Sequence, residues 1–536
     1  MSDKAASIAE KDRDMLTRRR GRLAEKLADA LGDGVRGLPD TYMRHQPVRL
    51  QRFARLQDIF ESNGLEYDWD NPGGKFLVGA LGDKPVGIED NRHGLIVAGN
   101  RSGKSVTIVN NLLYTRAPVL CMDPKSELAN RTALRRRELG QRVFVLDPYN
   151  ITAGPAAAFR ARFNPLAGLS HDNPFIIEDA AQIADSIVVQ TGEEKDPHWN
   201  ESAKDLIQGL ILHVATDPGF AGNRTLVAVR RLLHEILAPL PGAEDEDSDA
   251  IEYALEADVE GNAERLRAEG HDDLAAALEG AVSNFYDKPS NERGGVLSTA
   301  RRHTQFLDYP SMKDVLSGHD FDLADLKRDP DGISVYICLP ATRMGICRGF
   351  LRIMVSQLLD AMERERAVPK APVLAILDEF PVLGHMRQLQ DAAGQIASFH
   401  VKLVVIIQDI TQIKALYKDR WETFVANAGI VQFFGNTDIS TLEYISKKLG
   451  KVPRETTDVM VRGKDEISAP SKGRQIQYED MMAPEECARI FARNDPGKRQ
   501  LVLWADSLPM IIQRMEYFDQ SGPFARIFTG TYGKAF

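Results

Sequence analysis

Short apolar runs alternate with longer amphipathic stretches over two parts of this chain. Continuous β-branched or apolar runs predict buried strands, and the stretches between them show helical spacing. The predicted strands lie at 95–98, 119–123, 142–147, 333–339, 373–378, 403–407 and 430–434, with a last pair at 500–504 and 510–513. Strands separated by helices form right-handed βαβ units, so the pattern predicts an α/β fold with a mainly parallel central sheet.

The alternation stops between the two parts. Residues 170–325 show apolar spacing typical of helices and no convincing strand, which predicts an all-α domain inserted into the α/β domain. The domain prediction is therefore a helical or linker segment at 1–89, a nucleotide-binding α/β domain at 90–169 and 326–536, and the insertion at 170–325. Residues 451–476 are rich in charge, Gly and Pro, which predicts a flexible loop.

The strand at 95–98 runs into a loop that ends in Gly103-Lys104-Ser105, which reads as a phosphate-binding P-loop with Ala98 at the usual first glycine. In this motif backbone N–H groups at a helix N-terminus hold the β-phosphate, the lysine reaches the β- and γ-phosphates, and the serine hydroxyl ligates Mg²⁺. A chance match in a strand–turn–helix is the alternative. The residues predicted to bind nucleotide are Gly99, Asn100, Arg101, Ser102, Gly103, Lys104 and Ser105.

A carboxylate pair follows the strand at 373–378, at the end where open α/β sheets hold their ligands. Asp378 is predicted to orient Mg²⁺, together with Ser105, and Glu379 to polarise the attacking water. An acidic strand end without a catalytic part is the alternative, but coupling to a P-loop in the same sheet favours hydrolysis.

Two further polar residues end predicted strands. Gln408 is a candidate for sensing the γ-phosphate or positioning water, and a capping or turn role is the alternative. Asp123 could line the same crevice or serve only the Asp-Pro turn that it begins. Arg131, Arg135, Arg136 and Arg137 form a basic cluster, for which a solvated helix face is the default and contact with a phosphate backbone in a ring is the alternative.

Composition limits the nucleic acids, metals and membranes that the chain could bind. The net charge of −10 gives no global attraction to nucleic acid, so any such contact needs a local patch or an assembled channel. The four cysteines lack metal-ligand spacing and are expected to be reduced. No apolar run is long enough for a transmembrane helix, and a basic amphipathic segment around 10–32 favours a solvated face over contact with lipid or a partner.

The order of motifs resembles the type IV secretion coupling proteins, the conjugative coupling ATPases of the RecA-like FtsK–HerA superfamily. The resemblance runs from about residue 90 to residue 520 and rests on these segments in order: Gly99 to Ser105, Asp123-Pro-Lys-Ser-Glu127, Phe163-Asn-Pro-Leu166, Trp199 to Ala203, Leu377-Asp-Glu-Phe380, Gln408 and Thr441 to Gly450. The family usually has glycine where Ser126 stands.

The resemblance implies a RecA-like P-loop ATPase that uses ATP and Mg²⁺ at the boundaries of a homo-hexamer. It implies that DNA–relaxase complexes or effector proteins are recruited and delivered to type IV secretion channel subunits, and it leaves single-stranded DNA open as a further ligand. Members commonly begin with transmembrane helices, whereas this sequence predicts none. The expectation is a cytoplasmic branch that reaches the inner membrane, if at all, through a partner.

Some relatives carry an arginine in the helix after the carboxylate pair that acts on a neighbour's nucleotide, and the corresponding position here is near Gln395. The alternatives for such an arginine stay open, and they are Arg301, Arg302, Arg343, Arg348 and Arg387. Two other functions also stay open: a cytoplasmic FtsK/HerA-like DNA pump without a secretion role, and a recruitment platform that binds ATP for assembly.

Overall fold

The computed structural model describes residues 52–189, 198–238, 253–392, 394–459, 472–505, 507–519 and 524. The basic segment predicted around 10–32 lies outside these residues. The strands are β1 Phe76–Leu81, β2 Lys84–Ile88, β3 Gly94–Ala98, β4 Val119–Asp123, β5 Arg142–Leu146, β6 Ile333–Cys338, β7 Val373–Leu377, β8 Val401–Ile407, β9 Ile430–Phe434, β10 Lys451–Val459, β11 Lys472–Asp480, β12 Arg499–Trp504 and β13 Met510–Gln513.

The helices of the first half are α1 Lys104–Tyr114, α2 Glu127–Glu138, α3 Ile176–Ile187, α4 His198–Thr216, α5 Leu226–Glu235, α6 Ala254–Ala268, α7 Asp272–Tyr286, α8 Ser290–His303 and α9 Pro310–Leu316. Those of the second half are α10 Asp325–Arg328, α11 Ala341–Met344, α12 Arg348–Arg364, α13 Arg387–Ala392, α14 Ile410–Tyr417, α15 Trp421–Ala426, α16 Ile439–Leu449 and α17 Pro484–Ile490. Short 3₁₀ turns join several of them.

Eleven strands form one sheet in the order β2-β1-β13-β12-β9-β3-β8-β7-β4-β6-β5. The seven from β9 to β5 pair in parallel, and the other four extend the sheet antiparallel from β9. The predicted α/β class with a mainly parallel sheet is confirmed. The central strands β3, β7 and β8 are buried at every residue, which is why their sequences are continuous apolar runs rather than alternating ones.

Helices cover both faces of the sheet. One face packs with α1 and α2 around a cluster that includes Ile96, Ile108 and Leu128. The other face shares a continuous core with the helices at 170–325, because Leu95 and Leu120 belong to the same buried cluster as Leu210. Among the described residues of 170–325 every regular element is a helix or 3₁₀ turn, as the spacing predicts. The helical region is therefore seated on the sheet through shared apolar burial.

The prediction of a helical or linker segment at 1–89 was wrong for the C-terminal part of that segment. Residues Phe76–Leu81 and Lys84–Ile88 form an antiparallel hairpin that pairs with β13, so this part belongs to the sheet. The turn between the strands has Gly82 at φ +67°, a conformation that glycine adopts at little cost. The hairpin escaped prediction because Gly79, Pro85 and Gly87 interrupt the apolar pattern of its strands.

The prediction of a flexible loop at 451–476 was also wrong, because both ends of this segment form strands. Lys451–Val459 pairs with Lys472–Asp480 in a two-stranded antiparallel ribbon outside the main sheet. A ribbon of this kind is held by backbone hydrogen bonds, so a composition rich in charge does not exclude it.

Candidate nucleotide site

The strands that carry the predicted site residues are neighbours in the sheet. β8 lies between β3 and β7, and β4 follows β7, all in parallel. Their carboxyl ends therefore meet at one edge, which brings together the P-loop after β3, Gln408 after β8, Asp378 and Glu379 after β7, and Asp123 at the end of β4. This is the edge at which open α/β sheets hold ligands.

The P-loop backbone is folded tightly over the start of α1. Arg101 has φ +55° and Gly103 has φ +96°, and these two left-handed residues turn the chain into the helix. The Ser102 hydroxyl donates to the Gly99 carbonyl at 2.6 Å, which closes the loop on itself. The first amides of α1, from Lys104 and Ser105, have no carbonyl one turn earlier in the helix and face the loop. Such amides are the donors that a phosphate requires.

Gly99 is required by a close approach rather than by its own φ. A Cβ on Gly99 would lie 1.9 Å from the Gly435 carbonyl oxygen, in the loop after β9. A Cβ on Gly435 would in turn lie 2.5 Å from Cβ of Ser102, and Gly435 has φ +66°. Gly99 thus leaves room for the backbone of the loop after β9, and Gly435 leaves room for Ser102 of the P-loop.

Lys104 and the carboxylates form a half-buried charge cluster. Burial lowers the pKa of Lys104, whereas Glu379 and Asp378 raise it. The pKa of Asp378 rises to about 6, mainly through burial and then through Glu379, against the opposing effect of Lys104. A buried carboxylate without a full complement of positive charge is the environment in which Mg²⁺ is bound favourably.

Glu379 and Gln408 lie in direct contact. Nε2 of Gln408 donates to Oε1 of Glu379 at 3.2 Å, and the Gln408 backbone is fixed because its N–H donates to Gln412 at 2.9 Å. Glu379 has φ +61°, which is uncommon for a residue with a side chain and is typical of strained functional positions. The turn that follows is closed by the Val382 N–H, which donates to the Glu379 carbonyl at 3.0 Å.

Asp123 serves its turn and also lies beside the site. Its Oδ2 accepts from the Ala129 N–H at 2.8 Å, which anchors the start of α2, and the side chain is buried. Burial, together with a smaller effect of nearby Asp378, raises the pKa of Asp123 to about 7. Asp123 can therefore both stabilise its turn and line the crevice at the sheet edge. Ser126 has φ +51°, which explains why a glycine suits this position.

The arginine cluster of α2 is divided by burial. Arg136 is fully buried and donates to Ser334 Oγ at 2.9 Å, to Gln141 at 2.6 Å and to three backbone carbonyls. Arg131 and Arg135 are half-buried, and only Arg137 is exposed. For Arg136 both predictions, a solvated face and contact with a phosphate backbone, were wrong.

Two parts of the site were missed by sequence reasoning. Arg514, just after β13, donates to the Ser102 carbonyl at 2.5 Å and lies over the Phe434 ring at 5.1 Å, so it supports the P-loop from below. Asn436 donates to the Gln408 carbonyl at 3.2 Å, while its own Oδ1 is buried and has no hydrogen-bond partner among the described residues. Neither residue stands near a recognisable motif, and no local signal could have found them.

The open arginine candidates are placed differently. Arg301 donates twice to the Leu233 carbonyl at the end of α5, at 3.0 and 2.9 Å, and so is used inside the helical region. Arg343 is exposed, and Arg348 and Arg387 line a cavity behind the turn that follows Glu379. Gln395 is exposed beside a 3₁₀ turn.

The sequence profile of the family described as type IV secretory system conjugative DNA transfer matches residues 58–534. The chain belongs to this family. Conjugal transfer protein TraG from Escherichia coli is 27% identical over 416 residues, covering 74% of this chain and 61% of the relative. The coupling protein VirD4 from Bartonella henselae is 23% identical over 501 residues, covering 88% and 72%.

Solved structures of the conjugative coupling protein TrwB share the fold. The trigonal form with sulphate has a TM-score of 0.58 at 17% identity, covering 87% of this chain and 93% of that chain. The form with ADP and Mg²⁺ gives 0.58 at 16% identity over the same shares. The resemblance to coupling proteins and the RecA-like fold are thereby confirmed.

The chain spans about three fifths of the length of the TraG relatives that it matches, 61% and 62% of two from Escherichia coli. Within the part of the chain that the structure describes, no helix is both long and apolar enough to cross a membrane. The same residues contain no group of three or more His, Cys, Asp or Glu arranged to hold a metal.

Proposed function

We propose that this chain is an ATP-hydrolysing coupling protein that recruits DNA–relaxase complexes or effector proteins and delivers them to a type IV secretion channel. The observation that carries the proposal is the contact of Glu379 with Gln408 at the sheet edge that holds the P-loop. A protein that only bound nucleotide would not need a carboxylate and an amide paired beside the phosphate site. Family membership supports the coupling role over an FtsK/HerA-like pump without a secretion role.

ATP and Mg²⁺ are the proposed cofactors. The fit rests on the P-loop backbone, which the close approach of Gly99 to Gly435 holds in place, on the amides at the start of α1, and on the cluster of Lys104 with Asp378. TrwB, whose fold this chain shares, has been solved with ADP and Mg²⁺ and with non-hydrolysable ATP and GTP analogues. Residues 99–105 would hold the phosphates, while Ser105 and Asp378 would hold the metal directly or through its water.

Each site residue has a distinct task in the proposed hydrolysis. Mg²⁺-ATP, when bound, would supply the γ-phosphate bond to be hydrolysed and the positive charge of the metal. Lys104 neutralises the β- and γ-phosphate oxygens. Gln408 orients the Glu379 carboxylate and the attacking water, and Glu379 accepts a proton from that water as it attacks.

A homo-hexamer with nucleotide at its subunit boundaries is proposed for the working assembly, with channel subunits and single-stranded DNA as further partners. A cytoplasmic location, with attachment to the inner membrane through a partner, is proposed with it. In this arrangement an arginine from one subunit would complete the site of the next, and three of the open candidates are exposed, namely Arg302, Arg343 and Arg387. The helices at 170–325 are proposed as the inserted domain that meets substrate.

The deciding experiment compares Glu379→Gln with wild type. The variant should bind ATP normally and lose at least about a hundredfold in turnover, because a positioned general base contributes 10²–10⁴-fold. DNA transfer should be lost in the same variant. Lys104→Ala should instead lose nucleotide binding itself, since the phosphates lose their main cationic partner.

The recruitment platform predicts a different result. If Glu379→Gln keeps substrate recruitment and transfer while turnover is already negligible in wild type, the chain binds ATP for assembly and the motor proposal is wrong. Co-purification with channel subunits then separates a coupling protein from a DNA pump that acts alone.

A further inference from the structure

A second cavity lies behind the turn that follows Glu379. It has a volume of about 670 Å³, which is within the range of ligand sites in proteins. Its walls are the turn at 381–390, the end of α14 and the residues just after it, and the start of α12. The lining residues that matter for binding are Arg348, Gly384, Arg387, Lys418, Asp419 and Arg420. The described lining contains no P-loop residue and none of Asp378, Glu379 and Gln408.

The cavity is strongly positive. Four of its described lining residues are Lys or Arg, and Asp419 is the one carboxylate among them. Arg387 has an acidic partner, Asp391, at 3.5 Å, but both side chains are largely exposed and the pair is weak. A cluster of cations in a concave site in a chain of net charge −10 is the local patch that an anion requires.

Arg348 is oriented into this space without a hydrogen-bond partner for part of its side chain. Its Nε is buried and unpaired among the described residues, and its Nη1 lies 3.9 Å from the position that a Cβ on Gly384 would take. A buried guanidinium N–H without an acceptor is costly. The buried Nε does not face the cavity, but Arg348 lines it, so its guanidinium adds positive charge at the wall.

Lys418 lines the cavity and has a strained backbone conformation. It follows the last residue of α14 with φ +45° and ψ −124°, where helices usually have glycine. Glycine would adopt this backbone freely, whereas lysine is strained there. A charged side chain at a position that favours glycine is consistent with a binding role.

We propose that this cavity is a second phosphate-binding site, separate from the P-loop, in which Arg348, Lys418 and Arg420 bind phosphate groups. The groups belong either to a polynucleotide backbone or to a soluble polyphosphate, since both present the same anion. Arg420 and Lys418 are exposed at the mouth, and Arg348 lies at the wall, so a phosphate that entered would be held from two sides.

The site is connected to Glu379 by a buried arginine. Arg352, one turn along α12 from Arg348, donates to the Leu383 carbonyl at 3.1 Å and to the His385 carbonyl at 2.8 Å. It also donates to the Ser186 carbonyl at the end of α3, at 3.0 Å. Pro381, Gly384 and His385 of the turn that follows Glu379 line the cavity, and the hydrogen bonds of Arg352 fix this wall to α12 and α3. Phosphate binding in the cavity does not depend on the proposed hydrolysis.

Binding is tested with fluorescent oligo-dT and, separately, with tripolyphosphate. Wild type is compared with Lys418→Gly/Arg420→Gln and with the control Arg116→Gln/Lys370→Gln, which removes two exposed cations of the α/β domain that do not line the cavity. The P-loop is intact in all three. We expect at least about a tenfold loss of affinity in the cavity variant only, since a hydrogen bond to a charged group contributes about one decade.

For oligo-dT the slope of log affinity against log salt should also fall by about 0.7 for each lost phosphate contact. Loss of oligo-dT affinity alone assigns the site to a polynucleotide backbone, and loss of tripolyphosphate affinity as well assigns it to phosphate from either source. Affinity and salt slope equal to those of the control for both probes overturn the proposal.

Lys418→Gly alone separates binding from folding. Relief of the strained backbone should raise its Tm above that of wild type while phosphate affinity falls. A higher Tm with unchanged affinity shows a purely structural position and counts against the site. These measurements involve no turnover, so their failure is distinguishable from failure of the Glu379→Gln test.

Discussion

At the scale of single residues, the site depends on backbone contacts that leave no room for a Cβ atom. Gly99 and Gly435 touch beneath the P-loop, and the Gly99 N–H donates to the Phe434 carbonyl at 3.2 Å. The P-loop is therefore held against the end of β9 as well as by its own backbone. Phosphate binding in turn requires its amides to be placed within a few tenths of an ångström.

We predict that Gly99→Ala weakens nucleotide binding at least about tenfold while the protein remains folded, because the added Cβ displaces the loop. Titration with a fluorescent ADP analogue measures the affinity. Gly168→Ala is the matched control, since nothing lies within 4 Å of a Cβ at that position. Equal nucleotide affinities for the two variants would contradict this prediction, because they would show that the loop accommodates the Cβ without loss of binding.

Asp123 makes stability depend on pH. Burial raises its pKa to about 7 in the folded protein, well above the ordinary value for an aspartate. Between the two values the folded state holds a proton that the unfolded chain releases, so this residue increases the free energy of unfolding as pH falls through 7 toward 4. Above pH 7 the folded state carries a buried negative charge instead.

We predict that Asp123→Asn stabilises the protein by on the order of a few kcal/mol at about pH 8 and by much less at about pH 5. Asparagine cannot ionise, yet its oxygen can still accept from the Ala129 N–H. Urea unfolding at the two pH values measures the difference. A variant less stable than wild type at both values would show that the Asp123 charge is compensated in the folded state.

At the scale of elements, the fold is held by residues that join neighbouring strands and helices. Arg136 on α2 donates to carbonyls of Leu112, Thr115 and Ala117, at the end of α1 and just beyond it, and also to Ser334 on β6. Burial lowers its pKa to about 10, so it remains charged at neutral pH. One side chain thereby satisfies the last turn of the P-loop helix.

We predict that Arg136→Met lowers the free energy of unfolding by about 3 kcal/mol or more, because several buried carbonyls lose their donor at once. Arg137→Met, on the exposed side of the same helix, should change it by less than about 0.5 kcal/mol. Urea unfolding of both variants checks the contrast. Similar values for the two would contradict the burial of Arg136.

The elements also show where sequence patterns succeed. β3, β7 and β8 were predicted correctly because strands buried on both faces have continuous apolar sequences. The hairpin of β1 and β2 and the ribbon of β10 and β11 were missed because pairing between polar or glycine-containing strands depends on the partner strand. Residues such as Gly79 and Pro85 weaken the apolar signal within the first hairpin.

At the scale of the whole molecule, the proposed ring predicts that catalysis depends on assembly. Turnover per chain should rise with protein concentration and then level off, because the site is completed by an arginine from a neighbour. Gln395, exposed near the position where some relatives have arginine, cannot supply that charge within the chain. Steady-state ATPase against protein concentration, with and without single-stranded DNA, checks this prediction.

Glu379→Gln is the control and should stay inactive at every concentration. Mixing wild type with Lys104→Ala at constant total concentration should lower activity more steeply than the wild-type fraction, since inactive subunits border active ones. A constant turnover per chain down to low concentration would show that the monomer is complete.

The sequence by itself determined the P-loop motif, the carboxylate pair after β7, the mainly parallel sheet and the family. The motifs are local, because phosphate binding and strand burial require fixed residue types at fixed short spacings. The tertiary structure alone decided the order of the strands, the contact of Gln408 with Glu379, the close approach of Gly99 to the Gly435 carbonyl and the burial of Arg136. It also placed Arg514 beneath Ser102, 412 residues away, and gathered the cations behind the Glu379 turn. Such contacts depend on how distant segments pack, and no spacing along the chain encodes them in a readable form.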